Sequence, residues 1–271
     1  MLPTFPIDDA KKRHIQQQLQ QLEQTHAMQI ILAIESGSRA WGFPSPDSDY
    51  DVRFVYVRSP AQYLSIQPYR DVIETPIVED AVLASKMDMN GWDLRKALNI
   101  AFTANLTLIE WLCSPIHYIQ RDAATPLRDF VRQMTHLPTL AHRYQNWLFN
   151  VTKTSTDPAQ VKLKSYCYGL RLALAVRWIA QRQTAPPMDL PSLAVLLDET
   201  LHDRLAELVQ LKFTQAEQAT VPRVPEFDDL IAASLAESWP KPAPIAPTQT
   251  DYKQADRLFQ TLMPIGYAGE S

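Results

Sequence analysis

The sequence has few cysteines and no long apolar run, and each shortage excludes a class of protein. Its two cysteines, Cys113 and Cys167, are far apart and lack metal-ligand spacing, so we expect neither a disulfide nor a zinc site. No segment approaches the ~20 apolar residues that a membrane span needs, and the N-terminus lacks the apolar region of a secretory signal. We therefore expect a cytoplasmic protein with reduced thiols and no membrane partner.

The charge of the chain is also low. A formal net charge of -4 excludes a broad, sequence-independent nucleic-acid-binding surface, because such a surface needs a strong basic excess. A local basic pocket remains compatible with this charge. With 271 residues, of which 46% are hydrophobic, the chain is long enough to bury one large core or two modest ones.

Helix and strand patterns alternate over the first part of the chain. An amphipathic helix is predicted over residues 8–27, where apolar side chains recur at helical spacing and glutamines fill the other face. The branched apolar run at 29–34 predicts a buried strand, and the alternation at 51–57 predicts a second one. A helix is predicted over 90–102. Weaker strand patterns lie near 70–80 and 83–89.

After about residue 121 the apolar spacing becomes helical. The sequence therefore predicts an α+β unit over residues 1–121, followed by an all-helical unit over 122–271. A proline-rich, semi-extended connector is predicted over 240–250. The helices predicted in the second unit span 124–135, 138–151, 157–183, 189–212, 224–238 and 251–263.

Two of the six glycines, Gly37 and Gly42, lie in one short stretch directly after the first predicted strand. Gly37 precedes Ser38, and a glycine at this point allows the backbone to approach a ligand closely. Backbone N–H groups together with a serine hydroxyl can bind an anion such as a phosphate. Asp49 and Asp51 follow at the start of the second strand, where residues two apart share a face.

Paired carboxylates on one strand face can hold divalent cations. Mg2+ prefers carboxylate oxygens and often completes its coordination shell with substrate phosphates. Either motif alone is common in structural positions, but the two together predict metal-assisted phosphoryl or nucleotidyl transfer. A third carboxylate is expected, and Asp88, between two methionines, is favoured over Asp93. Asp93 lies in the first turn of a predicted helix, which already explains an acid there.

These residues resemble the DNA polymerase β-type nucleotidyltransferase superfamily, in which a Gly-Ser turn precedes a D-x-D pair and a later acid on another strand. The strings "ESGSRAWGF", "GWDLRKAL", "NLTLIEWLCSP" and "KLKSYCYGLRLALAVRW" are similar to one branch, the RNA-ligase-associated predicted nucleotidyltransferases called RlaP. The similarity covers most of the chain. Its departures, Pro44 and "NLT" in place of "NPT", do not involve the acids.

The resemblance implies a small mixed β-sheet with flanking helices, and a helical domain that closes the cleft. Gly37 and Ser38 would bind the β- and γ-phosphates of a nucleoside triphosphate. Asp49 and Asp51 would hold two Mg2+ or Mn2+ ions. Asp88 would bind the catalytic ion and help to deprotonate the acceptor hydroxyl, and pyrophosphate would leave.

Two residues of the Gly-Ser stretch have more than one interpretation. Arg39 could neutralise phosphate charge, or it could form a salt bridge with Glu35 or Asp47. Trp41 could stack on a base, although packing beneath the loop is favoured.

The strongest helix in the second half carries a polar face. Lys164, Tyr168 and Arg171 fall three and four residues apart on that face. In a nucleotidyltransferase such a face would contact the triphosphate and the base. A solvated stripe is the alternative.

The leading functional hypothesis is therefore an enzyme that transfers a nucleoside monophosphate to a hydroxyl of an RNA end, a protein or a small molecule. A non-catalytic nucleotide sensor or an antitoxin-like partner is the alternative. A phosphohydrolase that uses the same acids is disfavoured by the spacing of the motif. The presence of all three candidate acids favours the enzyme.

Overall fold

The computed structural model describes residues 2–153, 157–215, 218–240 and 246–263. These residues form a mixed β-sheet with flanking helices, followed by a largely helical part, and this confirms the predicted α+β class. The strands are β1 (Met28–Glu35), β2 (Tyr50–Arg58), β3 (Val72–Glu74), β4 (Val78–Asp80), β5 (Ser85–Asp93), β6 (His117–Gln120), β7 (Gln160–Lys162) and β8 (Thr220–Pro222).

The helices surround the sheet and then pack on one another. A 3-10 turn, Ala194–Leu196, follows the ninth helix. The helices are α1 (Asp9–His26), α2 (Gly37–Ala40), α3 (Pro60–Tyr63), α4 (Leu94–Ala101), α5 (Leu106–Leu112), α6 (Ala124–Met134), α7 (Leu137–Thr152), α8 (Leu163–Arg182), α9 (Leu190–Leu193), α10 (Glu199–Thr214), α11 (Pro225–Ala236) and α12 (Gln249–Leu262).

The mixed sheet has the strand order β3-β5-β2-β1-β6, and β4 pairs with the start of β5. β1 is antiparallel to both β2 and β6, whereas β2 and β5 are parallel. Because β2 and β5 run in the same direction, the residues at their N-terminal ends lie side by side. The weak strand patterns near 70–80 and 83–89 are confirmed as β3, β4 and β5.

The predicted helix over 90–102 begins too early. Residues 90–93 belong to β5, and α4 starts at Leu94. The reason is a tertiary one, since this stretch pairs with β2 and Gly91 lies opposite Phe54. A Cβ at residue 91 would lie 1.9 Å from Cε2 of Phe54, so the close approach of the two strands requires glycine.

The second part of the chain is not wholly helical. β7 and β8 pair in an antiparallel ribbon, so the predicted helix over 157–183 starts only at Leu163. Of the predicted connector over 240–250, residues 241–245 lie outside the described residues, and α12 already begins at Gln249.

Buried side chains cover both faces of the mixed sheet. On one face, Ile15 and Leu19 of α1 pack in a cluster with Val52 of β2. On the other face, Val55 of β2 belongs to a core that continues into α8, where Leu170 is equally buried. This core extends across residue 121, and a domain boundary there stays a prediction. Within the described ranges, no helix combines the length and the apolar character needed to cross a membrane.

Candidate active site

A tight turn connects β1 to α2 and places the Gly-Ser pair. Gly37 has a φ of 61°, in the left-handed region that favours glycine. The preceding N–H, on Ser36, donates to the carbonyl oxygen of Asp51 at 2.8 Å. A Cβ at residue 37 would lie 2.0 Å from Oδ2 of Asp51. The turn therefore lies in direct contact with one of the predicted acids, and only glycine fits there without displacing that acid.

Asp51 and Asp88 lie directly opposite each other on the parallel strands β2 and β5. Arg53 bridges them, since its Nη2 donates to Oδ1 of Asp51 at 3.1 Å and to Oδ2 of Asp88 at 2.7 Å. Asp49 lies just before β2 and is exposed to solvent. The parallel register thus brings together two of the predicted carboxylates, and the third lies in the loop that leads into β2.

The groups around Asp51 act on its pKa in opposite directions. Burial raises the pKa of Asp51, and the guanidinium of Arg53 lowers it. The negative charges of Asp88 and Asp49 raise this pKa further, while Lys164 of α8 lowers it. Because the three acids repel one another here, the cluster is stabilised by positive charge.

Asp93 has a different environment from Asp88. It lies at the other end of β5, opposite Tyr56 of β2. Its carboxylate caps α4 by accepting the N–H of Arg95 at 2.8 Å, and it also accepts the hydroxyl of Tyr63 at 3.0 Å. The register therefore brings Asp88, rather than Asp93, next to Asp51.

Arg39 holds the loop that precedes β2. Its side chain donates to the carbonyl oxygens of Ser48, at 2.6 Å, and Asp49, at 3.2 Å. The guanidinium also lies 3.9 Å from the centre of the Tyr50 ring. The sequence also suggested that Arg39 contacts a phosphate, and that contact stays a prediction.

Glu35 belongs to this site although the sequence motif did not indicate it. Its side chain is fully buried and accepts the N–H of Asp51 at 3.0 Å and the hydroxyl of Tyr118 at 2.6 Å. Burial raises its pKa to about 8, against the opposing effects of those two hydrogen bonds. The sequence feature that could have indicated Glu35 is a single acid at the end of an apolar strand, "QIILAIE". A buried charge at such a position is costly unless hydrogen bonds compensate it.

The polar face of α8 divides into separate environments. Lys164, in the first turn, is the residue whose charge acts on Asp51. The Tyr168 ring stacks on Trp41, with centroids 4.6 Å apart, and meets Trp147 edge-on at 5.3 Å. Trp41 therefore packs between the turn and α8, as favoured from the sequence. Contact of Lys164 or Tyr168 with a nucleotide stays a prediction.

Most of the chain matches one known family. A family model described as "RlaP: RNA repair pathway DNA polymerase beta family" matches residues 11–261. The chain belongs to the RlaP family. It is accordingly a nucleotidyltransferase of the polymerase β type.

A relative of this RlaP chain comes from Bacillus subtilis (strain 168). The protein, called "Uncharacterized protein YcgL", is 41% identical over 189 residues, which cover 69% of each chain. The solved structure of a nucleotidyltransferase-like protein from Exiguobacterium sibiricum 255-15 is 12% identical to this chain. The alignment of the two structures covers 91% of this chain and 75% of that one, with a TM-score of 0.30.

The acids of this RlaP chain fit a hard divalent cation. Among the described residues, no three His, Cys, Asp or Glu side chains already surround one point as metal ligands. Positive charge between Asp51 and Asp88 is supplied by Arg53. The donors are carboxylate oxygens, which Mg2+ prefers, and the absence of a Cβ at Gly37 lets the Asp51 carboxylate lie against the turn. The donor chemistry is therefore suited to Mg2+ or Mn2+.

Arg171 is buried inside the helical part, and its contact with a nucleotide stays a prediction. Its side chain is fully buried and donates to Oε1 of Glu110 at 2.7 Å and to the carbonyl of Met188 at 3.0 Å. The guanidinium also lies 4.7 Å from the centre of the Trp41 ring. The spacing of the polar residues on α8 predicted a face directed to a ligand. At Arg171, the polar residue instead forms a buried ion pair with Glu110.

We expect Arg171→Met to destabilise the protein by roughly 3–5 kcal/mol, because it leaves the Glu110 carboxylate buried without its partner. The double variant Arg171→Met/Glu110→Leu should recover most of that loss, since neither charge remains. Urea unfolding of both variants measures the difference. A stable Arg171→Met protein with weakened nucleotide binding would instead support contact between Arg171 and a nucleotide.

Proposed function

We propose that the protein transfers a nucleoside monophosphate from a nucleoside triphosphate to a hydroxyl group of its acceptor, with release of pyrophosphate. The acceptor is an RNA end, a protein hydroxyl or a small molecule. The observation that carries the proposal is the pairing of Asp51 and Asp88 across parallel strands, in contact with the Gly37 turn. This arrangement supports transfer because it places carboxylates beside a turn suited to phosphate.

In this proposal Asp49, Asp51 and Asp88 hold Mg2+ or Mn2+. The bound ions would neutralise charge on the phosphates and on the attacking and leaving oxygens. The raised pKa of Asp51, which reflects burial and the neighbouring acids, supports a need for positive charge at this point. Arg53 supplies part of that charge through its contacts with Asp51 and Asp88.

The Gly-Ser turn binds the triphosphate in this proposal. Gly37 and Ser38 lie in the turn after β1, where backbone N–H groups and the Ser38 hydroxyl are suited to phosphate oxygens. Lys164, whose charge already acts on Asp51, would contribute charge from α8, and Arg39 from α2. Trp41 and Tyr168 would keep α8 against the turn through their stacked rings.

The proposed reaction forms one bond and breaks one. The acceptor oxygen bonds to the α-phosphorus, and the bond from that phosphorus to the bridging oxygen of the leaving pyrophosphate breaks. The hydroxyl proton passes to a carboxylate oxygen of Asp88. In the structure, Oδ2 of Asp88 accepts a hydrogen bond from Arg53 at 2.7 Å, so Arg53 also orients this carboxylate.

Incubation with labelled triphosphates, Mg2+ or Mn2+, and separate RNA, protein and metabolite acceptors tests this proposal. Label should pass to one acceptor class with matching release of pyrophosphate, and a chelator should stop both. Nucleotide binding without transfer or pyrophosphate release would favour the non-catalytic sensor. The second candidate has no observation in its favour, because the acids and the turn are all retained.

A further inference from the structure

We infer that Glu35 is a positioning residue that fixes the backbone of Asp51 beside the Gly37 turn. This inference rests on the proposed function, since it assigns to Glu35 the task of presenting a proposed metal-binding carboxylate. Glu35 itself is fully buried and acts through Asp51 rather than on a substrate.

Both backbone groups of Asp51 are held by consecutive residues at the end of β1. Its N–H donates to Oε1 of Glu35 at 3.0 Å, and its carbonyl accepts the N–H of Ser36 at 2.8 Å. The next residue, Gly37, contacts the Asp51 carboxylate from the same side. Three successive residues therefore determine the position of Asp51 relative to the turn.

Glu35 is in turn anchored on its far side. Its Oε2 accepts the hydroxyl of Tyr118 in β6 at 2.6 Å, and its carbonyl accepts the hydroxyl of Ser114 at 2.7 Å. Its own N–H donates to the carbonyl of Ile116 at 3.0 Å. A side chain held at both oxygens cannot rotate without losing a buried hydrogen bond, so it forms a rigid link from β6 to Asp51.

A purely structural role does not require this residue type. An apolar side chain at the end of β1 would suit a buried position without desolvating a carboxyl group. The carboxyl group offers two acceptors, one for the backbone of Asp51 and one for Tyr118. The cost of burying it next to other acids is explained if the position of Asp51 matters for function.

Mn2+ binding followed by electron paramagnetic resonance, together with kcat and KM for transfer, tests the inference. We expect Glu35→Ala to weaken Mn2+ binding about 10- to 100-fold and to lower kcat about 100-fold with a smaller change in KM. Glu35→Gln should keep both values within about threefold of wild type, because its amide oxygen accepts from Asp51 and its NH2 group donates to the Tyr118 oxygen.

The matched control removes a similar hydrogen bond elsewhere. Tyr118→Phe removes the hydroxyl that Glu35 accepts, and we expect it to weaken Mn2+ binding about tenfold. Tyr144→Phe removes a hydroxyl that donates to Glu110 at 3.2 Å in the helical part, and Mn2+ binding should not change. This pair also carries the test if Glu35→Ala does not fold.

The outcomes separate this inference from the proposed function. Unchanged Mn2+ binding in Glu35→Ala, or in Tyr118→Phe if the alanine variant does not fold, overturns the positioning role. Equal losses in Glu35→Gln and Glu35→Ala overturn it too, because position would then not be what Glu35 provides. If Asp51→Asn does not weaken Mn2+ binding, the proposed metal site fails and the positioning role with it.

Discussion

Asp51→Asn is expected to lower nucleotidyl transfer by about 1,000-fold or more while the protein remains folded. The substitution keeps the size of the side chain but removes the charge that would hold a divalent cation. Its effect on folding should be small, within about 1 kcal/mol, because it relieves repulsion from Asp49 and Asp88. Arg53 keeps its 2.7 Å contact with Asp88. Transfer rates and thermal unfolding measure the two quantities separately.

The same assay distinguishes the two candidates for the third carboxylate. Asp88→Asn should reduce transfer to a similar extent as Asp51→Asn. Asp93→Asn is the matched control on the same strand, and it should retain most activity because asparagine also caps a helix. Loss of activity in Asp93→Asn with an unchanged Asp88→Asn variant would contradict the arrangement. A fall in thermal stability that parallels the loss of activity in Asp51→Asn would point to a structural role.

The acid cluster was predictable because its geometry is mostly local. Strand periodicity places Asp49 and Asp51 on one face, and the glycine of the turn marks the point of close approach. The pairing with Asp88 was predictable only in part, because it depends on β2 and β5 being parallel. No local pattern fixes the register between strands that are distant in sequence. The sequence favoured Asp88 only because it lies between two methionines and because a helix start already explained Asp93.

Local patterns were insufficient where tertiary contacts decide the environment of a residue. Asn90 and Gly91 suggested the start of a helix, but their backbones pair with β2. Arg171 has the spacing of a ligand-facing residue on α8, but its partner, Glu110, comes from α5, which is distant in the sequence. Glu35 was missed as a site residue for the same reason, because the hydrogen bond that reveals its task joins it to Tyr118 of β6.

Gly37→Ala is the prediction that tests the site most directly without removing any polar group. An alanine would have to adopt a φ of 61°, which costs about 1–2 kcal/mol. Its Cβ would also lie 2.0 Å from Oδ2 of Asp51, so the carboxylate or the turn must move. A displacement of this kind should lower kcat about 100-fold. We expect the variant to stay folded at the assay temperature, so the fall in kcat should reflect the displaced carboxylate rather than unfolded protein.

Gly169→Ala is the control for this change. Gly169 lies within α8, and a Cβ there would meet Cγ2 of Thr152 at 3.5 Å, an ordinary contact. Alanine is favoured over glycine in a helix by about 0.8–1 kcal/mol, so this variant should be as stable as the wild type or more so, with full activity. Transfer kinetics and urea unfolding of both variants make the comparison. Full activity in a folded Gly37→Ala protein would mean that the carboxylate of Asp51 need not lie against the turn, and the site assigned to the triphosphate would then be wrong.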